Sequence, residues 1–217
     1  LGGFGSIAAG SGGLVYVAGL NGLSIIDTAT GESEVIPVGV GYATHVAVGD
    51  DGSIYFTGYQ HDPETGSGDD YLSVLDADRN RTVPHVQLAH HHTHQITGLA
   101  LGPDGRIYIT SYGNGGQDAV LTILDSNGSV DSTISLSGEM PIGVAVDSDS
   151  TAYVIGSGRV VAVDSTGPIG TVRTDWALTA SPVGIAIGPD GLLYVAVSNY
   201  SAQMNSISVL DPTDLVE

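Results

Sequence analysis

The chain has 217 residues, 24 of them acidic and five basic, for a formal net charge of −19, and no cysteine. A chain so acidic offers no basic stripe to nucleic acid or to anionic membrane surfaces, and the missing cysteines exclude disulfides, thiolate metal sites and a cysteine nucleophile. With 32 glycines, 41% hydrophobic and only 13% charged residues, it suits short strands and tight turns rather than disorder, and no apolar run is long enough for direct membrane insertion.

Taken in order, the chain repeats one three-strand phrase five times. An apolar strand leads into a turn rich in Gly and Asp, a second strand carries a Tyr, and a third strand ends in Asp. The first unit, about 5–40, has LVYVA with Tyr16, then Asp27, then a fourth strand predicted over Glu34–Val38. The second, 41–93, has SIYFT with Tyr55, Asp76 and a fourth strand at Thr82–Leu88. In the third, 94–138, these are RIYIT with Tyr108, Asp125 and Asp131–Leu136. The fourth, 139–180, has TAYVI with Tyr153, Asp164 and Thr171–Trp176. The last, 181–217, has LLYVA with Tyr194 and Asp211, but only a few residues after it, starting at Pro212, which cannot donate in a ladder. The last blade is therefore expected to have three strands, with an additional chain or missing sequence supplying its fourth.

The recurring Asp residues lie 39 to 49 residues apart, close to the period of a four-stranded propeller blade. No helical periodicity interrupts them. The expected fold is all-β: a single β-propeller domain over 1–217, built of four-stranded antiparallel blades, with five units visible in a ring that has room for more. The blocks GLALGPDGRIYIT, GIAIGPDGLLYVAVSN and IAAGSGGLVYVAGLNGLSIIDTATG resemble the YVTN and NHL repeat families of β-propellers. The resemblance implies the fold. It leaves function open, because such propellers include enzymes, sensors and docking modules.

With the strands of a blade lettered A to D, the A–B and C–D turns share one face, and the B–C loops share the other with the links to the next blade. The A–B turns are nearly constant, whereas the interval from Tyr to the strand-end Asp, which holds the B–C loop, runs from 11 to 21 residues. Variable loops on a constant frame mark the B–C face as the binding face. Carboxylates in the constant turns, such as Asp104 and Asp190, are expected to hydrogen-bond their own backbone.

Five of the seven histidines fall in PHVQLAHHHTHQ. In extended chain His90, His92 and His94 project to one side and can ligate a transition metal, with Asp70 from the preceding B–C loop as a further ligand. Without second-shell support such a cluster binds metal weakly. His61, in that loop, and His45, which enters the next inner strand near the axis, are candidate ligand contacts. Tyr112, Asn114, Asn199 and Tyr200 place polar and aromatic groups at the ends of B strands and are candidate ligand contacts, with Glu139. No nucleophile elbow or phosphate-cradling Gly loop is present.

These features put first a non-catalytic propeller, secreted or surface-displayed, binding a protein or small-molecule ligand on the B–C face. The alternative is a metal-dependent hydrolase or lyase similar to the propeller lactonases, with a divalent metal, zinc or calcium, at the axis. In those enzymes carboxylate and amide oxygens from several blades hold the metal, and the resemblance makes Glu139, Asn114 and Asn199 the nearest chemical matches. A sensor or structural module within a longer surface protein is a third reading.

Overall fold

The structure is a computed structural model, and it describes residues 5–37, 41–61, 64, 68–88, 95–113, 118–136, 138, 140–164, 171–178 and 180–215. It is all-β, with five antiparallel sheets in which strand order follows chain order. These are propeller blades, as the repeats predict. The first comprises β1 (Ile7–Ala9), β2 (Leu14–Gly19), β3 (Gly22–Asp27) and β4 (Ser33–Ile36). The second comprises β5 (Gly41–Val48), β6 (Ile54–His61), β7 (Gly68–Leu75) and β8 (Arg81–Gln87). In the third are β9 (Gln95–Leu101), β10 (Ile107–Tyr112), β11 (Val120–Leu124) and β12 (Val130–Ser135). The fourth holds β13 (Pro141–Val146), β14 (Thr151–Gly156), β15 (Arg159–Asp164) and β16 (Thr171–Ala177). Among the described residues the fifth has three strands, β17 (Ser181–Ile187), β18 (Leu193–Asn199) and β19 (Met204–Leu210).

Why the phrase repeats is visible in the A–B turns. A Cβ added at Gly102 would lie 2.8 Å from the Tyr108 ring, and one at Gly188 2.6 Å from the Tyr194 ring. Glycine at the start of the turn lets the recurring Tyr of the second strand fold back over it. The fourth blade has Asp147 there instead, and its carboxylate accepts the Tyr153 hydroxyl at 2.8 Å. In the second to fifth blades the turn closes with the same backbone bond: Gly52 N–H to Gly49, Gly105 to Gly102, Ser150 to Asp147 and Gly191 to Gly188, at 2.9–3.1 Å. The donor is left-handed each time, with φ from 64° at Ser150 to 82° at Gly52, which favours Gly.

The turn carboxylates serve the local backbone. Asp104 Oδ1 accepts Arg106 N–H at 3.1 Å and Asp190 Oδ1 accepts Leu192 N–H at 3.2 Å. In the C–D turns Asp27, Asp76, Asp125 and Asp211 do the same for amides two to four residues on.

The chain forms two compact units, residues 1–99 and 100–217. In the first, Tyr16, Leu23 and Ile25 pack with Val46, Phe56 and Tyr71. In the second, Tyr108, Leu121 and Ile123 pack with Val144, Val154 and Val161, and a further cluster joins Tyr153 and Val160 to Leu193, Val195 and Val197. Each fully buried side chain of this kind contributes about 1.5–3 kcal/mol, more than a turn hydrogen bond at about 0.5–1.5 kcal/mol, so packing between sheets dominates.

Candidate functional site

The second blade gathers ionisable and aromatic residues on one face of its sheet. Across β5 and β6, Tyr42 pairs with Tyr59 and His45 with Thr57; across β6 and β7, Tyr59 pairs with Asp70 and Thr57 with Leu72. Directly opposed residues project to the same face, and so do residues two apart on one strand. Tyr42–Tyr59–Asp70 and His45–Thr57–Leu72 are therefore adjacent rows on one face of the sheet.

Tyr42 and His45 are three residues apart, and regular alternation would put them on opposite faces. The register shifts between Ala43 and His45, leaving Thr44 as an extra residue that restores both to one face. The inner strands β13 and β17 carry the same irregularity, between Pro141 and Gly143 and between Pro182 and Gly184. After that bulge β13 and β17 have glycine, Gly143 and Gly184. His45 is where the second blade departs from its repeat.

The Tyr42 and Tyr59 rings stack, with centroids 5.6 Å apart and planes at 28°. Tyr42 is 40% exposed, whereas Asp70 is only 9% exposed. Burial, and then the charge of Asp69, push the Asp70 carboxyl up to about 7. Burial, then the Asp70 charge and Tyr59, raise the Tyr42 phenol. Burial lowers His45 to about 4, against the opposing pull of a backbone hydrogen bond with Thr97. Its Nδ1 lies 3.4 Å from Thr57 Oγ1, which is also 3.0 Å from Thr44 Oγ1. At neutral pH the site thus combines an uncharged imidazole, two phenols and a carboxyl poised between its two forms, the condition for general acid–base work.

Of the residues singled out from the sequence, Asp70 and His45 lie on this one face, two strands apart and in adjacent rows. His61 ends β6, its Cα opposite Gly68 at the same end of the hairpin. Tyr112 instead packs half-buried against the apolar cluster of the third and fourth blades. Asn199 spends its side-chain oxygen on its own turn, accepting Ala202 N–H at 3.0 Å, and Tyr200 is 89% exposed. Asn114, Glu139, His90, His92 and His94 lie outside the described residues. Among the described residues no three His, Asp or Glu side chains gather as a metal would require.

No protein-family model matches the chain, and no curated protein matches it. Solved structures do. It is similar to a gluconolactonase from Xanthomonas campestris, at 18% identity over 88% of this chain and 68% of that one, with a TM-score of 0.63. It is similar to regucalcin, a calcium-binding protein from Agrobacterium tumefaciens, at 15% identity over 96% and 77% of the two chains, with a TM-score of 0.64. A third likeness is to the Dos1 propeller, at 14% identity over 94% and 56%, with a TM-score of 0.66. At these identities the likeness carries the β-propeller fold. The names among these structures also correct the order of the functional readings: the non-catalytic binding propeller put first gives way to the lactonase-like alternative.

Proposed function

We propose that the protein is a lactonase-like propeller hydrolase acting on a small-molecule cyclic ester at the second-blade site. Water adds to the ring carbonyl while Asp70 takes its proton; the ring C–O bond then breaks, and the departing alkoxide recovers that proton from Asp70. Tyr42 and Tyr59 present a flat aromatic wall beside the carboxyl. The observation that carries the reading is the near-neutral Asp70 carboxyl, buried next to an exposed aromatic ring, on a fold similar to a gluconolactonase.

Calcium belongs to this proposal on the strength of regucalcin's name, and zinc only on the sequence's histidine-rich segment. The described residues do not assemble a shell for either. The finer repeat assignment, YVTN- or NHL-type, rests on the blocks around Tyr108 and Tyr194. A net charge of −19 supports a small-molecule partner over nucleic acid and suits a secreted or surface-displayed protein.

Hydrolysis of gluconolactone and related aldonolactones, followed with calcium or zinc present, tests the reading. The expected rate rises with pH through an apparent pKa near that of Asp70, and Asp70→Asn lowers kcat by about 10²–10⁴-fold. Failure to open any lactone with either metal, or an Asp70→Asn variant as fast as the parent, overturns it.

A further inference from the structure

Tyr59 lies directly opposite Asp70, and Gly68 is the neighbouring residue of β7 on that same face, diagonal to Tyr59 and toward the loop end of the hairpin. A Cβ added at Gly68 would fall on the Cζ and hydroxyl of Tyr59, and 2.7 Å from the Gln60 carbonyl oxygen. The Tyr59 ring therefore leans along β7 and lies over bare backbone. Gly68 is not left-handed, so space and not conformation calls for glycine there.

The opposite face of the hairpin uses the same device differently. Tyr71 lies across from Gly58, and a Cβ at Gly58 would come within 2.5 Å of its hydroxyl. Tyr71 is buried and meets Phe56 edge-on, with centroids 6.2 Å apart and planes at 89°, so it serves the core. Tyr59 instead carries the exposed Tyr42 ring stacked upon it.

The carboxyl beside this stack departs from the repeat. One backbone bond from the outer strand to the start of the third recurs in three blades: Leu88 N–H to the Asp70 carbonyl at 3.1 Å, Leu136 to Ala119 at 2.8 Å and Leu178 to Gly158 at 2.7 Å. Where the second blade has Asp70, the third and fourth have Ala119 and Gly158, so the blade itself asks for no acid there.

We propose that Gly68 is a positioning residue of this site: it forms the recess that lays Tyr59 flat, so that Tyr42 stacks on it and the two rings hold the lactone beside Asp70. The proposal rests on the lactonase reading. Gly68 acts only through the two rings, and a side chain at this position lifts Tyr59 off β7 and breaks the stack. Because the wall holds the lactone alike before and during attack, its loss weakens binding and spares the chemical step.

In the whole 217-residue chain, Gly68→Ala is expected to raise KM for a lactone about tenfold while kcat stays within about twofold. Tyr42→Leu leaves the recess intact and should do the same. The double variant should be no worse than either single one, since both remove one wall. Nuclear Overhauser contacts between the Tyr42 and Tyr59 rings, which need no substrate, should be present in the parent and absent in Gly68→Ala. If Gly68→Ala alone does not fold, adding Tyr59→Leu should restore folding by emptying the recess. A parent that opens no lactone overturns the lactonase reading, and the ring contacts then decide the recess by themselves. The proposal is overturned by a Gly68→Ala variant that keeps those contacts or the parental KM, by one that loses kcat at unchanged KM, by KM effects of the two single variants that multiply, or by a misfolded Gly68→Ala that Tyr59→Leu does not rescue.

Discussion

Asp70 lies directly opposite Tyr59 across the β6–β7 ladder, and Tyr59 stacks in turn on Tyr42, which leaves a carboxyl beside two phenols and little water. Holding that carboxyl near 7, against an ordinary 3.8, has a thermodynamic sign. The folded state keeps a proton that the unfolded chain has released, so stability falls as pH rises from 3.8 through 7. Asp70→Asn should remove this loss. The variant is expected to melt above the parent at pH 8 and level with it at pH 3.5. Each pH unit between the two pKa values is worth about 1.4 kcal/mol at most. Thermal unfolding across that range is the measurement, and equal melting temperatures at pH 8 would count against a buried, perturbed carboxyl.

His45 acts in the opposite sense. Its folded pKa of about 4 lies below the ordinary 6.5, so the unfolded chain takes up the proton first and stability is lost as pH falls from 6.5 through 4. Over the same interval Asp70 gains stability on acidification, and the two contributions oppose each other. The parent should therefore show a flatter stability–pH profile between pH 4 and 6.5 than either His45→Gln or Asp70→Asn. Ring-nitrogen chemical shifts should show His45 neutral at pH 5.5.

Within the first unit, Ser6 ties two inner strands together: its N–H donates to the Thr44 carbonyl at 2.9 Å, and its Oγ accepts the Val46 N–H at 2.7 Å. Ser6→Ala leaves the second bond unmade and is expected to cost about 1 kcal/mol, since the site is only partly shielded from water. A lower denaturation midpoint with faster amide exchange at Val46 is the predicted signature.

Two glycines in the fifth blade separate space from conformation. A Cβ meets nothing within 4 Å at either Gly184 or Gly191, but only Gly191 is left-handed, with φ +78°. Gly191→Ala should cost about 1–2 kcal/mol through the backbone alone. Gly184→Ala should be neutral or stabilising by up to about 1 kcal/mol, because it narrows the unfolded ensemble. Paired denaturation curves distinguish the two.

The blades were legible in the sequence because their signals are local. The Gly that starts each turn, the Tyr that folds over it and the Asp that binds the next turn all lie within one hairpin or at its end. The outer strands predicted at Thr82–Leu88 and Asp131–Leu136 accordingly fall within a residue of β8 and β12. The site was legible only in pieces. His45 and Asp70 stand out as residue types, but their sharing one face depends on the extra residue Thr44, and a bulge leaves no mark on simple alternation. Tyr42 and Tyr59 went unnoticed for the same reason. The available signal was that both fall outside the recurring Tyr column, beside a His that replaces glycine.

Strand order equals chain order in every sheet, so each ladder joins segments that are neighbours in sequence. Among the described residues no strand waits for a distant partner, and loop closure is cheap at each step. On the ribosome, a nascent chain that has emerged as far as Leu88 already holds every strand of the first two blades. Synthesis can thus bury one sheet while the next is still being translated, and a stalled or cleaved product ending between blades leaves intact sheets rather than a chain with half its pairings missing.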